Sequence, residues 1–179
     1  SHNPAIYNGI KVFTEGGRDA DAEVTRRIEA EIEKLSPADV KSVDYDTALA
    51  EGKIVEDYPM NEYLDSILSA VNVEAIKKAS LRIGFDPMYG VSWSSLSMLL
   101  TTCRCDLEVL HDRHDTLFGG KLPAPNVDTL KPLAALVLDR HCDLGIATDG
   151  DADRLGVIDN EGQFIHPNKL LVLLYYYLV

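Results

Sequence analysis

The chain has 179 residues, with 29 acidic and 17 basic residues that give a formal net charge of -12. Apolar residues make up 46% of it, which is enough to bury a core and excludes an intrinsically disordered chain. The acidic balance argues against nucleic acid as a partner, because binding to a phosphate backbone needs a basic surface. No apolar run reaches the ~20 residues of a membrane-spanning helix, so we predict no membrane partner.

The first predicted elements are a short strand over residues 10–14 and a helix over 19–35. Two glycines at 16–17 end the strand. Apolar residues recur at helical spacing through the helix, and a Ser-Pro pair at 36–37 ends it. The polar, mixed segment 40–58 is predicted to be a linker between two domains.

Residues 60–148 alternate between helical patterns and apolar strands. The predicted helices cover 60–71, 73–79, 91–102 and 127–140, and the predicted strands cover 81–86, 107–110 and 143–148. Two more strands, over 155–158 and 163–165, precede a final helix that begins at Pro167 or Asn168. Because strands that alternate with helices pair in parallel, we predict an α/β fold with a largely parallel or mixed sheet and helices on both faces.

The chain has three cysteines, Cys103, Cys105 and Cys142. An odd number without a C-x-x-C pair fits neither a disulfide framework nor a zinc site. Cys103 and Cys105 lie next to an apolar strand, so we predict buried free thiols. Free thiols persist in a reducing compartment, which predicts a cytoplasmic protein.

Three aspartates, Asp149, Asp151 and Asp153, alternate directly after the strand 143–148, at the end of a strand where α/β sheets bind ligands. Their carboxylates repel one another, and a hard divalent cation relieves this repulsion because Mg²⁺ and Ca²⁺ prefer oxygen ligands. An EF-hand also begins with D-x-D-x-D, but its sixth position must be Gly and is Arg154 here. We therefore predict a Mg²⁺ site at the three aspartates.

Two other functions stay open for this segment. Phosphatases of the haloacid dehalogenase type also place D-x-D after a strand and use the first Asp as the nucleophile, which here would be Asp149. Their loop continues with small residues and Thr or Val, whereas this one continues with Asp153 and Arg154. A non-enzymatic module that binds a divalent metal is the second alternative.

Two histidines, His111 and His114, are close enough in sequence to be considered as metal ligands. They lie in a charged segment without a Glu partner at helical spacing. We therefore predict that this segment is a surface loop.

The N-terminal segment places Ser1 beside His2, with Lys11 ten positions after Ser1. A serine next to a base is the arrangement of an activated nucleophile, and a lysine can donate a proton or bind a phosphate. Taken alone, an ordinary terminal loop explains these residues better.

Four segments of the chain form a more specific combination. They read SHNP and YNGIK within residues 1–11, GFDPMYGV at 84–91, FGGKLPAPN at 118–126 and DGDADR at 149–154. Together they resemble the α-D-phosphohexomutase family, which includes phosphoglucomutase, phosphomannomutase and phosphoglucosamine mutase. The resemblance covers nearly the whole chain and implies a phosphohexomutase-like α/β domain.

The resemblance implies that Ser1 is a phosphoserine that donates the transferred phosphate. It implies a Mg²⁺ ion held by the phosphorylated Ser1 and by Asp149, Asp151 and Asp153. A phosphoserine carries a charge of roughly -1.5 to -2 at neutral pH, which a cation and neighbouring basic side chains would compensate.

The same resemblance implies three further catalytic positions. Arg154 is the last residue of the metal-binding motif and would stabilise the serine phosphate. His2 matches the histidine next to the serine, and Lys11 matches a lysine that takes part in general acid–base chemistry near the sugar hydroxyl.

The reaction implied is the reversible interconversion of a hexose 1-phosphate and a hexose 6-phosphate, with a hexose 1,6-bisphosphate as intermediate and activator. Family members have four domains. The resemblance divides this chain into the C-terminal part of domain 1 (1–58), domain 2 (59–155) and the start of domain 3 (156–179). We therefore expect a phosphosugar substrate, the rest of domains 3 and 4 as partners, and no mutase activity from this fragment alone.

Overall fold

The computed structural model describes residues 3–179, which divide into two units. The smaller unit is Asn8–Tyr58, and the larger unit contains residues 3–7 and 59–179.

The smaller unit begins with a hairpin of two short antiparallel strands, β1 (Phe13–Thr14) and β2 (Arg18–Asp19). The turn between them contains Gly16 and Gly17, whose φ angles of 81° and 72° lie in the left-handed region that glycine tolerates. The glycine pair predicted to end a strand therefore reverses the chain, and β2 was missed because two residues are too few to show a pattern.

Two α-helices and a short 3-10 helix (Pro37–Asp39) complete the smaller unit. Helix α1 (Ala22–Ile32) begins at Asp21, whose carboxylate accepts from the backbone N–H groups of the first turn at 2.9 Å. Helix α2 (Tyr45–Ala50) lies inside the segment predicted to be a linker, so that prediction was wrong there. A second aspartate cap, Asp44, begins this helix, and its one buried residue is Ala48.

The larger unit contains a five-stranded sheet with helices. Its elements are α3 (Met60–Ala70), α4 (Val73–Ala79), β3 (Arg82–Asp86), α5 (Ser92–Thr102), β4 (Asp106–Val109), α6 (Lys131–Arg140), β5 (Leu144–Thr148), β6 (Leu155–Asp159), β7 (Phe164–Ile165) and α7 (Pro167–Leu178). The strand order is β4-β3-β5-β6-β7. Strands β4, β3 and β5 are parallel, whereas β6 and β7 are antiparallel to their neighbours. The predicted α/β fold with a mixed sheet is confirmed.

Helices cover both faces of this sheet. Leu133 and Val137 of α6 pack with Ala147 of β5 in one buried cluster. Ile146, the preceding residue of β5, packs in a second cluster with Ile83 and with side chains of α3, α4 and α5. Since successive strand residues point to opposite faces, the two clusters lie on opposite sides of the sheet.

All three cysteines are free and buried in these clusters, which confirms the prediction of buried free thiols for Cys103 and Cys105. Burial raises the pKa of the Cys105 thiol, and the neighbouring Cys103 adds to this effect. Burial likewise raises the pKa of Cys142. Within residues 3–179, none of the helices is long and apolar enough to cross a bilayer.

Strands β6 and β7 belong to the same sheet as β3 and β5, so the sheet continues past residue 155. The division of the chain into phosphohexomutase domains at 58 and 155 stays a prediction.

Two glycines let α6 approach the sheet closely. Gly84 and Gly145 are paired across β3 and β5. A Cβ atom built on Gly145 would lie 2.9 Å from Cγ2 of Val137 and 3.1 Å from Cγ of Leu133. The helix can pack at this distance only because the sheet has no side chain there.

We expect Gly145→Ala to lower the free energy of unfolding by about 1–3 kcal/mol, because the added methyl overpacks the α6 interface. Chemical denaturation measures this change. Gly9→Ala is the control, since a Cβ there meets no atom within 4 Å, and it should change stability by less than about 0.5 kcal/mol. Equal midpoints for Gly145→Ala and the unmodified protein would contradict the close packing of α6.

Candidate functional site

The six residues Asp149–Arg154, here called the acidic loop, connect β5 to β6. The two strands are antiparallel, and Thr148 pairs with Leu155 as the last pair before the loop. The loop is therefore the closed end of a hairpin, so both of its ends are fixed by the ladder. Its position at the carboxyl end of β5 agrees with the sequence analysis.

The structure brings the three predicted aspartates together. One carboxylate oxygen from each of Asp149, Asp151 and Asp153 lies within 4.8 Å of the others. Asp149 is fully buried, whereas the other two are exposed. Oδ1 of Asp149 accepts the backbone N–H of Arg154 at 3.0 Å, and its carbonyl accepts that of Ala152 at 3.1 Å. Asp149 thus organises the loop internally.

This donor set fits a hard divalent cation. Ligands on opposite sides of Mg²⁺ are about 4.2 Å apart, and those of Ca²⁺ are about 5 Å apart, from their usual bond lengths. The observed limit of 4.8 Å is close to these values, and the two exposed aspartates can adjust. All ligand atoms are anionic oxygens, which Mg²⁺ and Ca²⁺ prefer. The residues that would hold the ion are Asp149, Asp151 and Asp153.

Arg154 lies at the end of the loop with an exposed side chain. Its Nε is 4.0 Å from Oδ1 of Asp153, so the guanidinium is beside the carboxylate cluster. In this position it can reach an anion that binds over the acidic loop.

A second segment, the Pro87–Val91 turn, lies against the acidic loop. The N–H of Val91 donates to the carbonyl of Gly150 at 3.1 Å. A Cβ on Gly90 would lie 2.7 Å from this carbonyl oxygen, so only glycine fits. This segment is part of the GFDPMYGV motif. Its contact with the acidic loop was not predicted from the sequence.

Two buried hydroxyl groups support the same contact. Ser92, the first residue of α5, and Thr148, the last of β5, share a hydrogen bond of 2.6 Å. Thr148 directly precedes Asp149, so this bond fixes the start of the acidic loop. The two residues are 56 positions apart, and no sequence signal pairs them.

An open cleft of about 300 Å³ adjoins the acidic loop. Gly150 and the Pro87–Val91 turn form part of its wall, together with the aromatic residues Trp93 and Phe118 and the basic residue Arg113. This volume is at the lower end of the range for small-molecule sites.

The other predicted site residues are elsewhere in the chain. Lys11 is an exposed residue of the smaller unit, ahead of β1. Ser1 and His2 lie outside the described residues. Their catalytic and metal-binding roles stay predictions.

Two family models match the chain. The model for phosphoglucomutase/phosphomannomutase, alpha/beta/alpha domain II, matches residues 61–162, which is more than half of the sequence. The chain belongs to the phosphoglucomutase/phosphomannomutase family. The domain I model of the same family matches residues 1–39. The family resemblance seen in the motifs is confirmed.

Several curated members of this family are similar along nearly the whole chain. The phosphoglucosamine/phosphogalactosamine mutase of Sulfurisphaera tokodaii is 36% identical over 99% of this chain and 38% of its own length. The phosphoglucomutase/phosphomannomutase of Thermococcus kodakarensis is 33% identical over 97% of this chain and 37% of its own. The chain thus spans less than two fifths of the length of these relatives.

Solved structures agree on the fold. A provisionally assigned phosphomannomutase from Thermus thermophilus superposes with a TM-score of 0.83, at 24% identity, over 98% of this chain and 38% of that one. A phosphoglucomutase/phosphomannomutase family protein from Burkholderia thailandensis gives 0.54 at 26% identity, over 72% and 29% of the two chains.

We expect Asp151→Asn to weaken Mg²⁺ binding at least about tenfold, because it removes one of three anionic ligands. Isothermal titration calorimetry of the purified chain measures the affinity. Glu161→Gln removes the same charge at the opposite end of β6 and should leave the affinity unchanged. Equal affinities for Asp151→Asn and the unmodified chain would show that the ion does not bind at the acidic loop.

Proposed function

We propose that this chain carries the phosphoryl-transfer centre of a hexose phosphate mutase, with Ser1 as the phosphate carrier and a divalent cation at the acidic loop. The observation that carries the proposal is the convergence of three carboxylates within 4.8 Å in a chain of the phosphoglucomutase/phosphomannomutase family. The relatives above are mutases of hexose or hexosamine phosphates, and we propose a substrate of this class.

Electrostatics explains why such a centre needs the acidic loop. A bound Mg²⁺ would neutralise charge on the phosphoryl group during transfer. Asp149 gives the site one rigid, buried ligand, and the exposed Asp151 and Asp153 can adjust to the ion. The Nε of Arg154 lies 4.0 Å from Oδ1 of Asp153. In this proposal, its positive charge would stabilise the serine phosphate.

The proposed reaction consists of two transfers. A sugar hydroxyl attacks the phosphate of Ser1, the bond from phosphorus to the serine oxygen breaks, and a hexose 1,6-bisphosphate forms. Lys11 is the proposed acid–base group that takes the proton of the sugar hydroxyl. His2 follows Ser1 in the sequence, and we propose that it takes part in returning a proton to the serine oxygen. After the bisphosphate reorients, its other phosphate returns to Ser1.

The proposed reaction also needs domains that lie outside this chain. The relatives are more than twice as long as this chain, and we propose that domains 3 and 4 supply the contacts to the sugar and to its second phosphate. Turnover then requires these parts, because catalysis of phosphoryl transfer is chiefly positioning. We place the reaction in the cytoplasm, where the free thiols stay reduced.

A phosphatase mechanism with Asp149 as the nucleophile is less compatible with the structure. The Asp149 side chain is fully buried, and Oδ1 accepts the Arg154 N–H at 3.0 Å. A carboxylate nucleophile needs space for a whole phosphate group in line with its attacking oxygen, whereas a metal ligand needs space only for a single ion. This environment suits a metal ligand better.

We expect Ser1→Ala to reduce mutase turnover by roughly 10³-fold or more, since it removes the covalent phosphate carrier. The assay uses the longest natural chain that contains this sequence. Intact-mass spectrometry should show an added phosphate, about 80 Da, on the unmodified protein and none on the variant.

Ser42→Ala is the matched control, because Ser42 is an exposed serine of the smaller unit. It should retain both the added mass and the rate. A Ser1→Ala variant that keeps the phosphate and the rate would reject Ser1 as the carrier and make Asp149 the first alternative.

A further inference from the structure

Asp86 and His111 form a pair that the proposed reaction does not use. Asp86 ends β3 and is fully buried, and His111 follows β4 with a partly buried side chain. Nδ1 of His111 lies 3.0 Å from both carboxylate oxygens of Asp86. A carboxylate oxygen is a hydrogen-bond acceptor, so we assign the proton of the ring to Nδ1 and treat this nitrogen as the donor. The predicted surface loop is wrong for His111, because its side chain is partly buried against Asp86.

The pair holds the Pro87–Val91 turn in a conformation that its own residues disfavour. Met88 and Tyr89 have φ angles of 51° and 61°, in the left-handed region that residues with a Cβ avoid. The N–H of Met88 donates to Oδ1 of Asp86 at 2.8 Å, and the N–H of Tyr89 donates to the carbonyl of His111 at 3.0 Å. The Tyr89 and His111 rings also pack, with centroids 4.8 Å apart.

The other end of this turn touches the acidic loop. The N–H of Val91 donates to the carbonyl of Gly150, and Gly90 lies so close that a Cβ would be 2.9 Å from the carbonyl oxygen of Asp149. Gly150 stands between two of the three aspartates. A shift of the turn would therefore move the backbone that carries the proposed metal ligands.

We propose that Asp86 and His111 are positioning residues for the acidic loop: they fix the left-handed Pro87–Val91 turn, and the turn fixes the backbone of Gly150. This inference rests on the proposed metal site. It assigns a role to a histidine and an aspartate that lie outside the acidic loop in the sequence. Some residues do not coordinate a metal ion but orient the side chains that do. Substitution of such residues typically changes metal affinity by 10–100-fold.

The test compares two substitutions of one histidine. His111→Leu removes the donor to Asp86, and we expect Mg²⁺ affinity to fall at least about tenfold in calorimetry. His111→Asn keeps an N–H donor at the position of Nδ1, and asparagine accepts the left-handed φ of 47° found there. It should bind Mg²⁺ within about threefold of the unmodified chain.

A second measurement needs no metal. The amides of Ala152 and Arg154 donate within the acidic loop, so their hydrogen exchange reports whether the loop is held. We expect both amides to exchange at least about tenfold faster in His111→Leu and at the original rate in His111→Asn. If the unmodified chain binds no Mg²⁺, the proposed metal site fails, and this measurement still decides whether the pair positions the loop.

Ile76→Ala is the control for general destabilisation, because Ile76 packs in the cluster on the other face of the sheet. It should lower stability and leave both measurements unchanged. Unchanged loop exchange in a folded His111→Leu variant would overturn the proposal. Should that variant fail to fold, Asp86→Ala takes its place, because it removes the acceptor for both Met88 and His111. Unchanged loop exchange there would overturn the proposal equally.

Discussion

Repulsion among three carboxylates is the constraint on which the site depends. Two unit charges about 4 Å apart interact by roughly 1 kcal/mol in water and roughly 4 kcal/mol near a protein surface. The acidic loop brings an oxygen of each aspartate within 4.8 Å of the others. The backbone N–H of Arg154 donates to the Asp149 carboxylate and offsets part of this repulsion, and the nearby guanidinium of Arg154 offsets a further part. A divalent cation would offset the rest, which makes the loop a site that a bound ion stabilises.

The mixed sheet provides the rigidity that such a loop needs. In a purely parallel sheet, the chain after β5 would leave the sheet toward a crossover helix. The loop would then be fixed by the sheet at one end only and could move. Here β6 returns antiparallel to β5, so the pair Thr148 and Leu155 fixes both ends of the loop. Close packing adds to the rigidity of the loop. Gly145 allows α6 to pack closely on the sheet, and Gly90 allows the Pro87–Val91 turn to pack closely on the loop.

The sequence predicted the parts of the fold that are encoded locally. Periodic apolar residues predicted β3, α5 and β5, and alternating aspartates predicted the carboxylate cluster. Helix α2 was missed, because one six-residue helix with a single buried alanine leaves no periodic pattern. The Asp86–His111 pair was missed for another reason: its members are 25 residues apart and meet only through the parallel pairing of β3 with β4. An aspartate at the end of an apolar strand was the one available signal.

The acidic character of the chain becomes consistent with an anionic substrate once the cation is considered. A chain of net charge -12 with three clustered carboxylates repels a phosphosugar. In the proposed reaction, a divalent cation reverses the sign of the local field, so phosphate affinity depends on the ion. By linkage, the phosphate strengthens cation binding by the same factor. In the proposed site, the fixed acidic loop would therefore make the cation and the phosphate bind cooperatively, because the charge of each ligand favours binding of the other.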